Sequence, residues 1–424
     1  MDFEALEIAV RRKALAVAAR AVAQRLNADH SDHQGPYAPC ECGTPARYAG
    51  RVEKIITTAL GDMTLKRAYY HCERCERGFF PRDRALGIEG TSLSPAVMRM
   101  TGLVGAMVSF MEGGELMLEL AGVRVDAKQV ERTAETLGAE IAQDEREHVE
   151  PPPPQGVLPP TLYLGMDGTG VPMRKEELEG RVGKQPDGTA KTREVKLAVI
   201  WSAEARDPKT HLPMRDEGSI TYSAAIESAA SRDTDTLPSE FAQRVTREAT
   251  RRGFDCVRRR VVLGDGAPWI WNLADEHLPG AIQIVDRFHA KQHLSEVAKA
   301  IYGPKGDLAT AWAKQRHDDL DDGKIPDLLA ALALHASTNE EARKCADYIT
   351  TNRERMRYPE FHAQGLCTST GVVEAGCKVA VGTRLKRAGM HWTLAGANAI
   401  IALRCCKLSG RLEDFWERRS ARAR

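Results

Sequence analysis

The chain has 424 residues, 60 basic and 59 acidic side chains, a net charge of +1 and 42% hydrophobic composition. That length predicts two to four domains rather than one core, and the near-neutral balance excludes a chain bound to its partner by bulk charge alone. Its apolar runs fall far short of a membrane span and acids occupy residues 1–10, so neither a membrane anchor nor a signal peptide is expected and a cytoplasmic location is the default.

Residues 2–27 carry apolar positions at helical spacing around Arg11, Arg12 and Lys13, which predicts an amphipathic helix within a first segment, 1–34. "CECG" follows with Cys40 and Cys42. "RVEKIITTALGDMTLKRAYYHCERC" then reads as two strands about a Gly61-Asp62 turn, ending on Cys72 and Cys75. Two cysteine pairs separated by a hairpin predict a zinc ribbon over 35–90, with structural Zn²⁺ replacing the core that so small a module lacks. The second pair has C-x-x-C spacing; the first, C-x-C, is one residue short, which leaves His33 and His71 as alternative fourth ligands. Four protein ligands leave no open position for catalysis. The other six cysteines are scattered from Cys256 onward, a pattern of a reducing compartment with one metal site.

Residues 91–147 are expected to be helical. Within 109–144 a helix, a turn at Gly122-Val123 and a second helix capped by Asp126 admit two readings. One is a helix-turn-helix that places Lys128, Gln129 and Arg132 in a DNA major groove; the other is a plain helical hairpin with a polar outer face. "HVEPPPPQGVLPP", residues 148–160, cannot continue a helix and predicts a stiff linker.

From residue 161 the apolar pattern changes period. "TLYLGMDG" alternates like a strand and ends on Asp167; "REVKLAVIW" is a second strand, and a third is expected at 219–222. A helix over 238–252 precedes "VVLGDG", a short buried strand ending at Asp265. Another helix then leads to "AIQIVD", a strand ending at Asp286. Three strands, helix, strand, helix, strand is the order of a ribonuclease H-like domain, in which the first and fourth strands are neighbours. Asp167 and Asp265 would then repel each other unless a divalent cation lies between them, and Gly264 and Gly266 would leave room for metal and phosphate to approach. The bland alternative makes Asp265 a turn or helix-capping residue. A late helix from Gly371 supplies Glu374, with Lys378 one turn on; its own bland reading is an exposed pair with Lys378.

"MDGTGVPM", "GKQPDGTAKTREVKLAVIW", "VVLGDGAPWIWNLADEHLPGAIQIVDRFHA" and "TGVVEAGCK…RLKRAGMHWTLAGANAIIALR" resemble the ISKra family of bacterial insertion-sequence DDE transposases, relatives of the Mutator-like group, over most of residues 35–415. The resemblance implies a multidomain α+β chain: N-terminal helix, zinc ribbon and helix-turn-helix, then a ribonuclease H-like α/β catalytic domain in two parts, 161–304 and 366–410. Residues 305–365 would be an all-α insertion and 411–424 a basic tail. It further implies Asp167, Asp265 and Glu374 as a triad for two Mg²⁺ (or Mn²⁺) ions, acting by hydrolysis and then strand transfer. Asp286-x-x-His289 is similar to an element that supports such sites; a strand-end acid and a packed histidine is the other reading. The implied partner is double-stranded DNA, transposon ends and target, bound by a homodimer or larger assembly in a bacterial, nucleoid-associated setting. Lys184, Lys191, Arg193, Lys378 and Arg384 are candidates for phosphate contacts. Trp269 and Trp271 read as packing residues, and Trp392 as packing or as a stacking platform for an unpaired base. Two other functions share these features: a catalytically silent DNA-binding regulator, and a ribonuclease H-like nuclease for branched or hybrid substrates.

Overall fold

The computed structural model describes residues 2–152, 158–183, 185, 188–229, 239–304 and 306–422; Lys184 and the middle of the Pro-rich stretch lie outside the described residues. The chain forms two compact units, Met1–Glu140 with Arg411–Arg424, and Ile141–Gly410.

In the first unit, α1 (Phe3–Ala28) begins at an Asp2 cap whose side chain accepts the Glu4 amide. Its apolar residues do not gather on one face: Phe3, Leu6, Ile8, Val10, Val17 and Val22 are exposed and Ala19 alone is fully buried, so the expected amphipathic stripe is not formed. The helix is anchored at its end, where Leu26 packs on Ile56, Leu65 and Ile88. There the Asn27 amide donates to the Thr64 carbonyl (2.9 Å) and its oxygen accepts from the Lys66 amide (2.8 Å), extending the sheet edge.

Four antiparallel strands follow in spatial order: β1 (Tyr37–Pro39), β2 (Pro45–Thr58), β3 (Gly61–Cys72) and β4 (Arg77–Phe79). The β2–β3 hairpin turns at 59–60 and pairs from Thr58↔Gly61 to Arg47↔His71. A buried ionic knot holds α2 (Pro81–Ala85) to this sheet: Asp32 meets Arg51 at 3.0 Å and Arg82 at 3.1 Å, and Asp83 meets Arg67 at 2.6 Å. Next come α3 (Pro95–Met107) and α4 (Phe110–Leu116), which ends in a π-helical turn, Met117–Ala121, and left-handed Gly122. The helix read from sequence over 109–121 is therefore irregular in its last turn. Helix α5 (Ala127–Glu147) starts at Asp126, whose carboxylate accepts the Gln129 amide at 2.7 Å. The division between units falls inside α5 and not in the Pro-rich stretch.

The second unit is built on a five-stranded sheet. Its strands are β5 (Thr161–Pro172), β6 (Thr192–Trp201), β9 (Thr221–Ala225), β10 (Arg259–Gly264) and β11 (Ile282–Val285), with a separate small pair, β7 (Ala205–Arg206) and β8 (Pro213–Met214). The order is β11-β10-β5-β6-β9. The β5–β6 and β6–β9 pairs are antiparallel, whereas β10 runs parallel to both β5 and β11. The first and fourth main strands are thus hydrogen-bonded neighbours. The first six residues of β5 and the last seven of β6 are all buried, the mark of strands covered on both faces.

Helices α6 (Glu240–Arg251), α7 (Pro268–His277) and α8 (Arg287–Tyr302) alternate with the later strands. Then α9 (Asp307–Asp321), α10 (Ile325–Ala336), α11 (Glu340–Asn352) and α12 (Tyr358–Ala363) form a helical array, α9 and α11 packing on α8. The chain returns to the sheet with α13 (Gly371–Gly376), which continues through a π-helical stretch, Cys377–Gly382, into α14 (Thr383–Leu385). Helix α15 (Leu394–Leu408) is buried nearly all round against β9. The last element, α16 (Leu412–Arg422), belongs to the first unit and buries Phe415; residues 412–422, expected within a basic tail, are helical. No described helix is long and apolar enough to cross a membrane.

Candidate functional site

Strand pairing brings two acids towards the same end of the sheet. Leu263 of β10 pairs with Gly165 of β5, and the pairing ends there, with Asp167 two residues further along β5 and Asp265 in the turn just past β10. Gly165 also explains how α13 approaches: a Cβ there would lie 2.2 Å from Val373, so only glycine admits the helix. Side chains two apart on a strand share a face, and two strand residues advance slightly farther than one helical turn. Asp167 therefore meets Cys377, one turn after Val373, its Oδ2 accepting from the thiol at 3.4 Å. Its Oδ1 accepts from the Gly168 amide at 2.6 Å. Glu374 lies exposed on the same turn, and among the described residues no ion pair joins it to Lys378.

Desolvation holds the Asp167 carboxyl above the usual carboxylate range; the charges of Asp265 and Glu374 push the same way, against the Gly168 amide and the Cys377 thiol. Asp167 thus feels both other acids, but among the described residues the three do not close to the mutual 4.8 Å reached by the cysteine cluster below. Asp265 follows β10 directly and its Oδ1 accepts the Ala267 amide (2.9 Å), so it also makes the turn of the bland reading. The flanking glycines do not leave open space. A Cβ on Gly264 would meet Ile270 at 2.8 Å and one on Gly266 would meet Tyr348 at 2.4 Å, so the close approach of these protein side chains accounts for both glycines.

Asp286 is 1% exposed and fully engaged. It caps α8 through the amides of Phe288 (2.6 Å) and His289 (3.0 Å), and its other oxygen takes the amide (2.5 Å) and hydroxyl of Thr370. It ties α8 to the residue before α13 and so acts on Glu374 through the backbone. The half-buried His289 ring sits edge-on to His293 at 5.1 Å.

The basic candidates separate by burial. Lys191 and Lys378 are exposed; Arg193 is half-buried 3.9 Å from Glu177, its pKa lowered by desolvation and by Arg181. Arg384 is fully buried with its guanidinium 5.1 Å from the Trp392 ring, which removes it from any DNA contact. Trp392 is itself 6% exposed and donates to the Leu385 carbonyl at 3.0 Å, so it is a packing residue and not a base platform. Trp271 is buried, and half-buried Trp269 lies under the Lys196 ammonium at 4.8 Å. The exposed cation that does reach the acids' neighbourhood is Lys386, bonded to the Thr169 hydroxyl two residues past Asp167. It stands in the same basic run as Arg384, and only the helical phase distinguishes them. In the first unit Lys128 and Arg132 are exposed at the start of α5, Lys128 paired with Glu131 at 2.6 Å, while Gln129 is half-buried.

The second grouping is sulfur. Cys40 and Cys42 follow β1, Cys72 ends β3 and Cys75 precedes β4; their sulfurs lie within 4.8 Å of one another, with Cys40–Cys75 at 3.6 Å and Cys42–Cys72 at 3.5 Å. Zinc–thiolate bonds of about 2.3 Å in a tetrahedron imply sulfur separations of about 3.8 Å, so the donor set fits a zinc ion. The short C-x-C loop closes because Gly43 takes a left-handed φ of 82° and its amide donates to the Cys40 carbonyl (2.9 Å). His33 and His71 are outside this group, His33 packing edge-on to Tyr48 at 4.6 Å. The Thr44 amide and the neighbouring thiols pull Cys42 down to about 6. Cys75, although the Arg77 amide favours its thiolate, is pushed up to about 11 by desolvation and the other three sulfurs.

No protein-family model matches the chain. A curated Streptococcus gallolyticus protein, described as "UPF0236 protein in vanSb 3'region", is similar at 21% identity over 377 residues, 86% of this chain and 75% of that protein. Among solved structures, a chain of the Drosophila P element transposase strand transfer complex aligns with 79% of this chain and 83% of its own, at 10% identity and a TM-score of 0.26, too low to assign a shared fold.

Proposed function

We propose that the second unit is a ribonuclease H-like catalytic domain and that the chain is a DDE transposase acting on double-stranded DNA. The observation that carries this reading is the parallel β10–β5 pairing, which ends two residues before both Asp265 and Asp167, together with the close packing on β5 of α13, the helix of Glu374. Mutual repulsion among three acids is a cost that a divalent cation relieves, and an all-carboxylate donor set suits magnesium or manganese. Bound there, such cations would activate a water or DNA 3′-hydroxyl and neutralise charge at the scissile phosphate.

The chain's own residues orient and bind. Gly168 and Cys377 fix the two oxygens of Asp167. Asp286 fixes Thr370 and hence the start of the Glu374 helix. Lys191, Lys378 and Lys386 supply exposed cations for phosphates, which position a duplex without reading its sequence. In the first unit a zinc-bound ribbon and the start of α5, with Lys128, Gln129 and Arg132, would recognise the transposon ends.

The test is cleavage of transposon-end duplexes in Mg²⁺ or Mn²⁺. Wild type should nick the ends and join them to target DNA, and Asp265→Asn should cut at least about a thousandfold more slowly. Undiminished cutting by the variant would remove the triad. Specific binding without cleavage in any divalent metal would replace the reading with a DNA-binding regulator, and preference for junctions or hybrids with a structure-specific nuclease.

A further inference from the structure

Asp265 sits outside the sheet, on a three-residue turn between β10 and α7, and a residue 83 positions away holds that turn. The Tyr348 hydroxyl, from α11, donates to the Asp265 main-chain carbonyl at 2.8 Å. Its ring lies where the Cβ of any residue but glycine at 266 would stand, 2.4 Å from that position, and Gly266 has a φ of 102°. The small residue in the turn and the aromatic in the helical array therefore form one fitted pair. On its other side the ring packs against His293 of α8 at 4.5 Å. The α11 backbone beneath it is secured, with Asn339 capping the first turn, Asn352 donating to the Tyr348 carbonyl at 3.0 Å, and Cys345 and Ile349 buried.

The geometry assigns Tyr348 as a positioning residue for Asp265. Its O–H fixes the carbonyl, and with it the peptide whose side chain folds back onto the Ala267 amide, so that the Asp265 carboxylate keeps its orientation. The helical segment thus builds part of the site, and a shift of α11 would change how well the acids hold a cation. This rests on Asp265 being a cation ligand.

The test uses full-length, zinc-loaded protein without DNA and reads Mn²⁺ binding by electron paramagnetic resonance. Asp265→Asn should abolish the tight Mn²⁺ site; if it binds as wild type does, the cation reading fails and the role of Tyr348 with it. Given that loss, Tyr348→Phe, which keeps the ring and removes one hydrogen bond, should weaken Mn²⁺ binding by about tenfold. Gly266→Ala, which displaces the ring from the other side, should weaken it as well. Tyr348→Phe with a lowered melting temperature but wild-type Mn²⁺ affinity would overturn the proposal, since a merely structural tyrosine would give that result.

Discussion

Asp167 is a carboxyl that the fold disfavours in its charged form. Its pKa is raised in the folded chain, so between the ordinary aspartate value and the raised one the folded protein holds more protons than the unfolded chain. Stability then falls as pH rises through that window and stays lower above it, the reverse of a salt-bridged acid. Asp167→Asn should accordingly raise the melting temperature of the protein in chelator at pH 7, and the gain should shrink as pH is lowered through the raised value towards about 4, the ordinary aspartate range, below which the wild-type group is protonated in both states. Melting curves across that range check it. Two neighbours in sequence should behave oppositely. Arg384→Ala, which empties a fully buried site against Trp392, should cost about 3 kcal/mol in denaturant unfolding. Lys386→Ala should change stability by less than about 0.5 kcal/mol, weaken duplex binding, and reduce the slope of log affinity against log salt by about one.

At the scale of elements, legibility followed the kind of interaction that fixes each one. Strands buried on both faces leave apolar runs, so β6 and β10 are readable to within a few residues; β10, expected at 261–263, spans Arg259–Gly264, whereas β5 runs past its expected end at Asp167 to Pro172. Caps leave their own residue type, and Asp126 does start α5. Contacts made only in three dimensions left no such trace. Tyr348 and Cys377 reach the acids from segments whose local sequence reads as ordinary helix. The glycines about Asp265 announced missing side chains but not that Ile270 and Tyr348 would fill the space. Likewise α1 has apolar residues at helical spacing, yet the packing surface is at its C-terminal end, around Leu26. The fit of α13 on β5 is the most demanding of these contacts. Gly165→Ala puts a methyl against Val373 and should destabilise the second unit by about 1–3 kcal/mol, with weakened Mn²⁺ binding as Glu374 is displaced.

Across the whole molecule, the sulfur cluster and the proposed acidic site would call for different metals, soft thiolates for one and hard oxygens for the other. Chelating zinc from the native protein should therefore make four additional thiols reactive, while Cys345, Cys405 and Cys406 stay buried in the second unit. A thiol count before and after chelation checks it, and an unchanged count would argue against zinc at the ribbon. The two units also differ in how they are assembled from the chain. The second is one uninterrupted stretch, but the first needs α16, whose Phe415 is buried. During synthesis, then, the sheet that carries the acids has all of its parts once Gly410 has left the ribosome, whereas the ribbon-bearing unit must wait for residues made some 270 positions after its own main body ends. The nascent chain is thus expected to complete the unit that carries the proposed acidic site before the ribbon-bearing unit.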